Sequence, residues 1–218
     1  MPAGPVYSYG MEADDARHYY EPSKGHGLPH DPLKSIIGPR PIGWISTQGR
    51  AGHLNLAPFS FFNVFADDPP IIAFSCSGRK DTLRNAEETG EFVWNLTTRE
   101  LAERMSTSSA TLPYHMDEFV HAGLTPVPSR LVAPPRVAES PVHFECRVTD
   151  ILRLHDHLKR PLRAWVVFGE VVAVHILRIL LKDGIFDTFG AGIVLRAGGP
   201  TGYAHITPAN RFDMTRPP

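Results

Sequence analysis

Two long, strand-like segments in the second half of the chain constrain its fold more than any other feature. The segment VHFECRVTDILRL (142–154) alternates apolar and polar residues, as a half-buried strand does. The segment RAWVVFGEVVAVHI (163–176) is longer, and Gly169 at its middle predicts a bulge or a bend. The second half of the chain is therefore predicted to be rich in β-structure.

Shorter strands are predicted in the first half of the chain, over 42–46, 54–60, 71–77 and 91–97. The glycines of TQGRAGH predict a hairpin-like turn between the first two strands. The stretch FFNVFADDPP predicts an aromatic loop that ends at Pro69 and Pro70. Strands at this short spacing, without strand–helix–strand alternation, predict an antiparallel barrel with helices at its edge.

Two short helices complete the prediction. Asp81 or Thr82 is expected to cap the helix LRNAEET, and Gly90 stands where a helix end favours a residue that tolerates positive φ. Thr98 is expected to cap a second helix, RELAERM. Both helices lie next to predicted strands, so they are expected at the edge of the barrel.

Composition favours a globular protein without a bulk electrostatic partner. The formal net charge of −1 predicts no general attraction to nucleic acid or anionic membrane, and no membrane span is expected. Residues 1–32, rich in Pro, Gly, His and Tyr, are predicted to be an extended arm without a signal peptide, followed by one domain over 33–218. Cys76 and Cys146 lie in apolar stretches, which predicts buried free thiols and a cytoplasmic location.

The common catalytic motifs are absent from the sequence. There is no Walker-type loop, nucleophile elbow or HExxH helix, and GAGIVLRAGG departs from the dinucleotide fingerprint at its third glycine. His155 and His157 in the sequence HDH have no third ligand near them, so a solvated turn is favoured over a zinc site. No metal site is predicted.

The stretch SCSGRKDTL (75–83) has the composition of an anion-binding turn. Ser75 and Ser77 end a predicted strand, and Arg79 and Lys80 precede a predicted helix start that contains Thr82. Hydroxyls, backbone N–H groups and two cations at one point suit a phosphate monoester. A capped helix flanked by solvated charges explains the same residues equally well.

A second stretch, HLNLAPFSFFNVF (53–65), favours the phosphate interpretation. It combines the polar side chains of Asn55, Ser60 and Asn63 with four phenylalanines, too many for one face of a strand. A flat heteroaromatic ligand with a polar edge would use this mixture, although core and interface packing would also use it.

Six landmarks together resemble the flavin reductase-like family with the FMN-binding split barrel, in particular its branch of flavoredoxins and nitrilotriacetate monooxygenase component B. The resemblance spans about residues 33–216. The conjunction of NLAPFS with KDT is specific, whereas each piece alone is not. The landmarks are PRPIGWIST, NLAPFSFFNVF, PPIIAFSCSGRKDT, EFVWNL, FGEVVAVHI and AGGPTGYAHI.

The resemblance implies a mainly β fold, a six-stranded antiparallel Greek-key split barrel with a few peripheral helices. It also implies a homodimer with one FMN per subunit near the dimer interface. It assigns no catalytic side chain, and 110–121 is expected to cover the flavin. The cofactor-binding residues it implies are Arg40, Trp44, Thr47, Gln48, Asn55, Leu56, Ala57, Pro58, Ser60, Asn63, Ser75, Ser77, Arg79, Lys80, Asp81 and Thr82.

The activity implied by the resemblance is NAD(P)H-dependent flavin reduction, with reduced flavin or electrons passed to a partner such as a monooxygenase. Two alternatives remain open at this point. One is an FMN-binding electron carrier without useful turnover, and the other is a flavin- or haem-binding store or sensor on the same fold. A pyridoxamine phosphate oxidase-like activity fits the NLAPFS and KDT landmarks less well.

Overall fold

A computed structural model describes residues 17–215 and 217 of the chain. The first half of the predicted arm, residues 1–16, lies outside the described residues. Its second half is mostly exposed and contains one turn of 3₁₀-helix, Pro22–Lys24. The described residues contain no helix with the length and apolar character needed to span a bilayer.

The described elements are mostly strands. The helices are α1 (Leu33–Ile36), α2 (Asp81–Thr89), α3 (Ala102–Thr107) and α4 (Glu118–His121). The strands are β1 (Arg40–Pro41), β2 (Gly43–Gln48), β3 (Leu54–Phe59), β4 (Phe62–Asp67), β5 (Pro70–Ser77), β6 (Glu91–Asn95), β7 (Pro126–Val127), β8 (Arg136–Val137), β9 (Val142–His155), β10 (Pro161–Ile176), β11 (Leu181–Lys182), β12 (Ile185–Phe186), β13 (Val194–Arg196) and β14 (Tyr203–His205).

Seven antiparallel strands form the main sheet, in the order β3-β2-β6-β9-β10-β5-β4. The two edge strands, β3 and β4, are joined by only Ser60 and Phe61, so the sheet curls and brings the two ends of its strand order near each other at this connection. The Phe59 ring of β3 packs on the Phe74 ring of β5 with centroids 4.9 Å apart. The predicted mainly β class with an antiparallel barrel and peripheral helices is confirmed.

The strand count differs from the prediction because the expected aromatic loop contains strand β4. Phe62 pairs with Phe74 and Asp67 with Pro70, so β4 and β5 form a tight hairpin. Pairing with β5 supplies hydrogen-bond partners to the backbone of β4. The side chains of β4 are nearly all exposed, and their aromatic residues do not alternate as those of a half-buried strand do.

The long hairpin β9–β10 crosses the middle of the sheet, as its sequence predicts. Its turn is held by the Asp156 carboxylate, which accepts hydrogen bonds from the N–H groups of Leu158 and Arg160, so HDH lies in a hairpin turn. The strand register shifts between Phe168 and Gly169, which confirms the predicted bulge. At Gly169 the Phe92 ring occupies the space that a Cβ atom would need.

Gly169→Ala is expected to destabilise the protein by about 1–3 kcal/mol, because the added methyl group overpacks the core against Phe92. Urea unfolding measures the loss. The matched background is Phe92→Leu, in which the cost of Gly169→Ala should shrink as the ring is removed. An undiminished cost in that background would contradict the steric explanation.

The helix boundaries correct two of the capping predictions. Helix α2 begins at Asp81, with Lys80 at the N-cap and no side-chain cap, so Asp81 and Thr82 lie inside its first turn. Gly90 ends α2 with φ 72°, as predicted. The second helix does not begin after Thr98, because Thr98 pairs with Ile193 in an isolated bridge and α3 starts at Ala102.

Both cysteines are buried, free thiols, as predicted. Burial raises the pKa of Cys76 to about 12, so this thiol stays protonated at neutral pH. Neither cysteine therefore supplies a reactive thiolate.

Candidate functional site

A buried polar network fixes the start of α2 against the first hairpin of the sheet. The amide nitrogen of Asn55 on β3 donates to the Thr82 hydroxyl at 2.8 Å and to the Thr47 hydroxyl at 3.3 Å. Asn85 of α2 donates to the same Thr47 hydroxyl at 3.1 Å. All four side chains are buried, so the network holds three elements in one relative position.

Cavity A, of about 220 Å³, lies over this network at the beginning of α2. The first N–H groups of a helix have no intrahelical acceptor, and they make this end electropositive. The exposed Lys80 adds a full positive charge. The Thr82 hydroxyl accepts from Asn55, so its own proton remains for another acceptor. The polar residues that line cavity A are Asn55, Lys80, Asp81, Thr82, Ser108, Ser109, Thr111 and Glu118.

Glu118 brings a buried carboxyl group to cavity A. Its Oε2 accepts a hydrogen bond from the Leu56 N–H of β3 at 3.2 Å, and its residue surface is 6% exposed. Burial raises the pKa of Glu118 above its ordinary value. A carboxyl group with a raised pKa repels an anion less than an ordinary carboxylate does, so Glu118 opposes an anion at Lys80 less than its charge type suggests.

Cavity B, of about 360 Å³, adjoins cavity A at Ser109. One wall is the end of β3 with the bend after it, Pro58 to Ser60, and another is α3 with Met105 and Ser106. The lining also contains Arg196 and Tyr203, whose guanidinium carbon and ring centroid lie 4.6 Å apart. The Arg196 guanidinium donates to the carbonyl groups of Gly199, Pro200 and Gly202, which fix its position. Cavity B is therefore a mixed apolar and cationic space.

Cavity C, of about 440 Å³, adjoins cavity B at Ser106 and Tyr203. It lies between α3 and the hairpin β13–β14, and its charged residues are Arg99, Glu103 and His205. The three cavities thus follow α3 in the order A, B, C. Together they form one groove with a cationic group in each part.

Nine of the predicted cofactor residues lie in or directly behind this groove. Asn55, Ala57, Lys80, Asp81 and Thr82 line cavity A, and Pro58 and Ser60 line cavity B. Thr47 and Leu56 are buried and support the groove from the core.

Trp44 contacts the groove indirectly, through the side chain of Ser108. It is fully buried in the core, and its indole N–H donates to the Ser108 hydroxyl at 3.0 Å. Ser108 in turn lines cavity A. Trp44 is therefore placed to position the segment after α3.

The structure does not bring the other predicted residues to the groove. Arg79 forms an ion pair with Glu87 of α2, which directs its guanidinium away from cavity A. Gln48 donates to the Gly52 carbonyl in the hairpin turn. Arg40 donates to the carbonyl groups of Lys34 and Ile37. Arg40 and Asn63 line a further cavity beside β4, which adjoins cavity B at Ser60, and Ser75 and Ser77 lie within β5.

Sequence reasoning missed the wall of the groove that α3 and the following segment provide. Ser106, Ser108 and Ser109 line it, followed by Ala110 to Leu112. The hydroxyl-rich run STSSAT (106–111) is a signal that could have indicated a polar wall. Of the stretch 110–121, which was expected to cover a ligand, residues 110–112 and Glu118 line cavity A.

No group of three His, Cys, Asp or Glu side chains is placed to bind a metal ion within the described part of the chain. A phosphate-bearing ligand fits the cationic end of the groove, and a flat ring fits the apolar walls of its middle part.

Comparison with known proteins gives one family and several similar structures. The model of the family described as "Flavin reductase like domain" matches residues 38–186. A protein of Aquifex aeolicus, described only as uncharacterized, is 39% identical over 155 residues, 69% of this chain and 76% of its own.

Two solved structures resemble the chain over most of its length. Nitrilotriacetate monooxygenase component B from Bacillus cereus has a TM-score of 0.78 and 28% identity, covering 98% of this chain and 100% of its own. The 2-nitrobenzoate 2-nitroreductase NbaA of Pseudomonas fluorescens has a TM-score of 0.74 and 29% identity, covering 85% of this chain and 88% of its own.

Proposed function

Because the chain belongs to the flavin reductase-like family, we propose that it is an FMN-binding oxidoreductase that reduces flavin with NAD(P)H. The single observation that carries the proposal is the position of Lys80 and Thr82 in cavity A, beside cavity B with its mixed apolar and polar lining. Flavin mononucleotide has a phosphate at one end and a ring system at the other, so it would place one group in each of these two adjoining cavities.

In this proposal the FMN phosphate is held in cavity A. Lys80 provides a charge-assisted hydrogen bond, and the Thr82 hydroxyl donates its free proton. The first N–H groups of α2 add partial positive charge. Asn55 fixes the orientation of the Thr82 hydroxyl, because its amide nitrogen donates a hydrogen bond to the hydroxyl oxygen.

The ring end of the flavin belongs in cavity B. Pro58, Phe59 and Met105 exclude water and contact the ring faces, while Ser60 offers a hydroxyl to its polar edge. Arg196 brings positive charge to the same cavity, and such a charge stabilises the negative charge that flavin gains on reduction. FMN supplies the hydride-accepting chemistry when bound, and the protein supplies binding, orientation and electrostatics.

The proposal includes a homodimer. Phe61 and the edge strand β4 expose apolar side chains, of which Phe61, Val64 and Phe65 are at least half exposed. An uncovered apolar edge strand is a pairing surface, and a second copy of the chain would bury it. Reduced flavin would then pass to a separate acceptor such as a monooxygenase, since the related B. cereus protein is named as one component of such an enzyme.

Anaerobic titration tests the proposed activity. FMN is added to the purified protein, and the flavin absorbance is followed while NADH or NADPH is added. We expect the protein to bind FMN and the absorbance to bleach at a rate far above that of free FMN with the same nucleotide. Failure to bind FMN would overturn the proposal, and binding without bleaching would favour an electron carrier or store.

A further inference from the structure

Cavity C has the composition of a nucleotide-binding site. Arg99 lies in the segment that leads into α3, Glu103 lies in the first turn of α3, and His205 lies on β14. Thr201 adds a hydroxyl to the same cavity. Cations, hydroxyls and one carboxylate on a polar wall are the groups that bind phosphate and ribose.

Arg99 is held in place by its backbone while its charge stays available. Its N–H donates to the Gly192 carbonyl at 2.9 Å, and its side chain is exposed. Within residues 17–215 the Arg99 guanidinium has no ion-pair partner, whereas Arg79 pairs with Glu87 and Arg104 with Glu139. Arg99 can therefore bind an anion without first breaking a salt bridge.

The position of cavity C relative to cavity B indicates which nucleotide would use it. Cavity C begins at Ser106 and Tyr203, where cavity B ends, on the side away from Lys80. A dinucleotide whose nicotinamide meets a ring in cavity B would extend its other half into the next space along the groove. Cavity A is filled by the flavin phosphate in the proposed function. The cavity beside β4 also adjoins cavity B, at Ser60, but its arginine, Arg40, donates to the carbonyl groups of Lys34 and Ile37, so cavity C is the adjoining space whose arginine is unpaired among the described residues.

We propose that cavity C binds the phosphate-bearing adenylate half of the nicotinamide coenzyme. Arg99 and His205 bind its phosphate oxygens, and the Glu103 carboxylate accepts hydrogen bonds from ribose hydroxyls. The inference deepens the proposed function, on which it rests for the place of the nicotinamide. Either the pyrophosphate or a 2′-phosphate could supply the anion that Arg99 binds.

Calorimetric titration of the FMN-saturated protein with ADP-ribose and with its 2′-phosphate derivative tests this site without any turnover. We expect at least one of the two to bind, and Arg99→Ala to weaken that binding at least tenfold. Preference for ADP-ribose would identify the pyrophosphate as the anion, and preference for its derivative would identify the 2′-phosphate. The matched control is Arg178→Ala, which removes an exposed arginine outside the three cavities.

Steady-state kinetics supply a second readout. With Arg99→Ala we expect KM for the preferred coenzyme to rise at least tenfold, while the rate with 1-benzyl-1,4-dihydronicotinamide, which has no phosphate, stays unchanged. The affinity for FMN should also stay unchanged, which separates this site from cavity A.

Binding of neither nucleotide, or equal binding by Arg99→Ala and the wild type, would overturn the inference even if flavin is reduced. Conversely, the protein could bind the nucleotide in a way that depends on Arg99 and yet fail to reduce FMN. That result would contradict the proposed activity and support the nucleotide site. The two failures are therefore distinguishable.

Discussion

Lys80→Ala is expected to weaken FMN binding by about 1.5–3 kcal/mol, roughly 10- to 100-fold in Kd, and to leave riboflavin binding nearly unchanged. Lys80 lines cavity A beside the Thr82 hydroxyl and the free N–H groups of α2. Its ammonium group would make a charge-assisted bond that only the phosphate ester can accept. Titration of flavin fluorescence with each ligand measures the difference.

Two control variants test whether the effect is specific to Lys80. Lys34→Ala removes an exposed lysine of α1 outside the groove and should change neither affinity. Arg79→Ala should have a much smaller effect than Lys80→Ala, because the Arg79 guanidinium is paired with Glu87. Equal losses for FMN and riboflavin in Lys80→Ala would show that the phosphate does not lie at Lys80.

Glu145→Ala is expected to reduce the free energy of unfolding by about 3–5 kcal/mol, because it removes the buried carboxylate of a hydrogen-bonded cluster and leaves its partners without an acceptor. Glu145 is fully buried in β9. Its two carboxylate oxygens accept from the N–H groups of Arg130 and Leu131 at 2.8 and 2.6 Å, and from His175 at 2.6 Å. Alanine would leave all three donors without an acceptor.

Urea unfolding of Glu145→Ala and Glu145→Gln at neutral pH measures the effect. Glutamine keeps one acceptor oxygen, so the free energy of unfolding should fall less in Glu145→Gln than in Glu145→Ala. A loss below about 1 kcal/mol for alanine would contradict a stabilising role for the three hydrogen bonds that Glu145 accepts.

The same cluster gives stability a defined pH dependence. Burial raises the pKa of Glu145, but the two N–H donors and His175 lower it by more, so the folded-state pKa lies below the ordinary value. The stabilisation is therefore present above the unfolded-state pKa and is lost as pH falls toward the folded-state pKa.

Local patterns in the sequence predicted the parts of the fold whose physical causes are local. Gly90 and Gly169 mark a helix end and a bulge, because each position needs the freedom or the small size of glycine. Strand β4 was missed, since its pairing with β5 satisfies the backbone whatever its side-chain pattern. Thr98 was misread as a cap because its bridge to Ile193 joins residues far apart in sequence.

The candidate site likewise consists of residues that the sequence predicted and residues that it did not predict. Asn55, Lys80 and Thr82 were predicted from two short stretches, and the structure brings those stretches together. The direction of the Arg79 side chain depends on Glu87, eight residues further along the chain, which lies outside SCSGRKDTL. Glu118 reaches cavity A only through the tertiary position of the short helix α4.

A crystal structure of the protein with FMN tests the central proposal most directly. We predict the phosphate within hydrogen-bonding distance of Lys80 Nζ and Thr82 Oγ1, with the ring system in cavity B beside Pro58 and Ser60. Density for the phosphate in any other place, or an FMN-soaked crystal with cavities A and B free of ligand, would contradict the account.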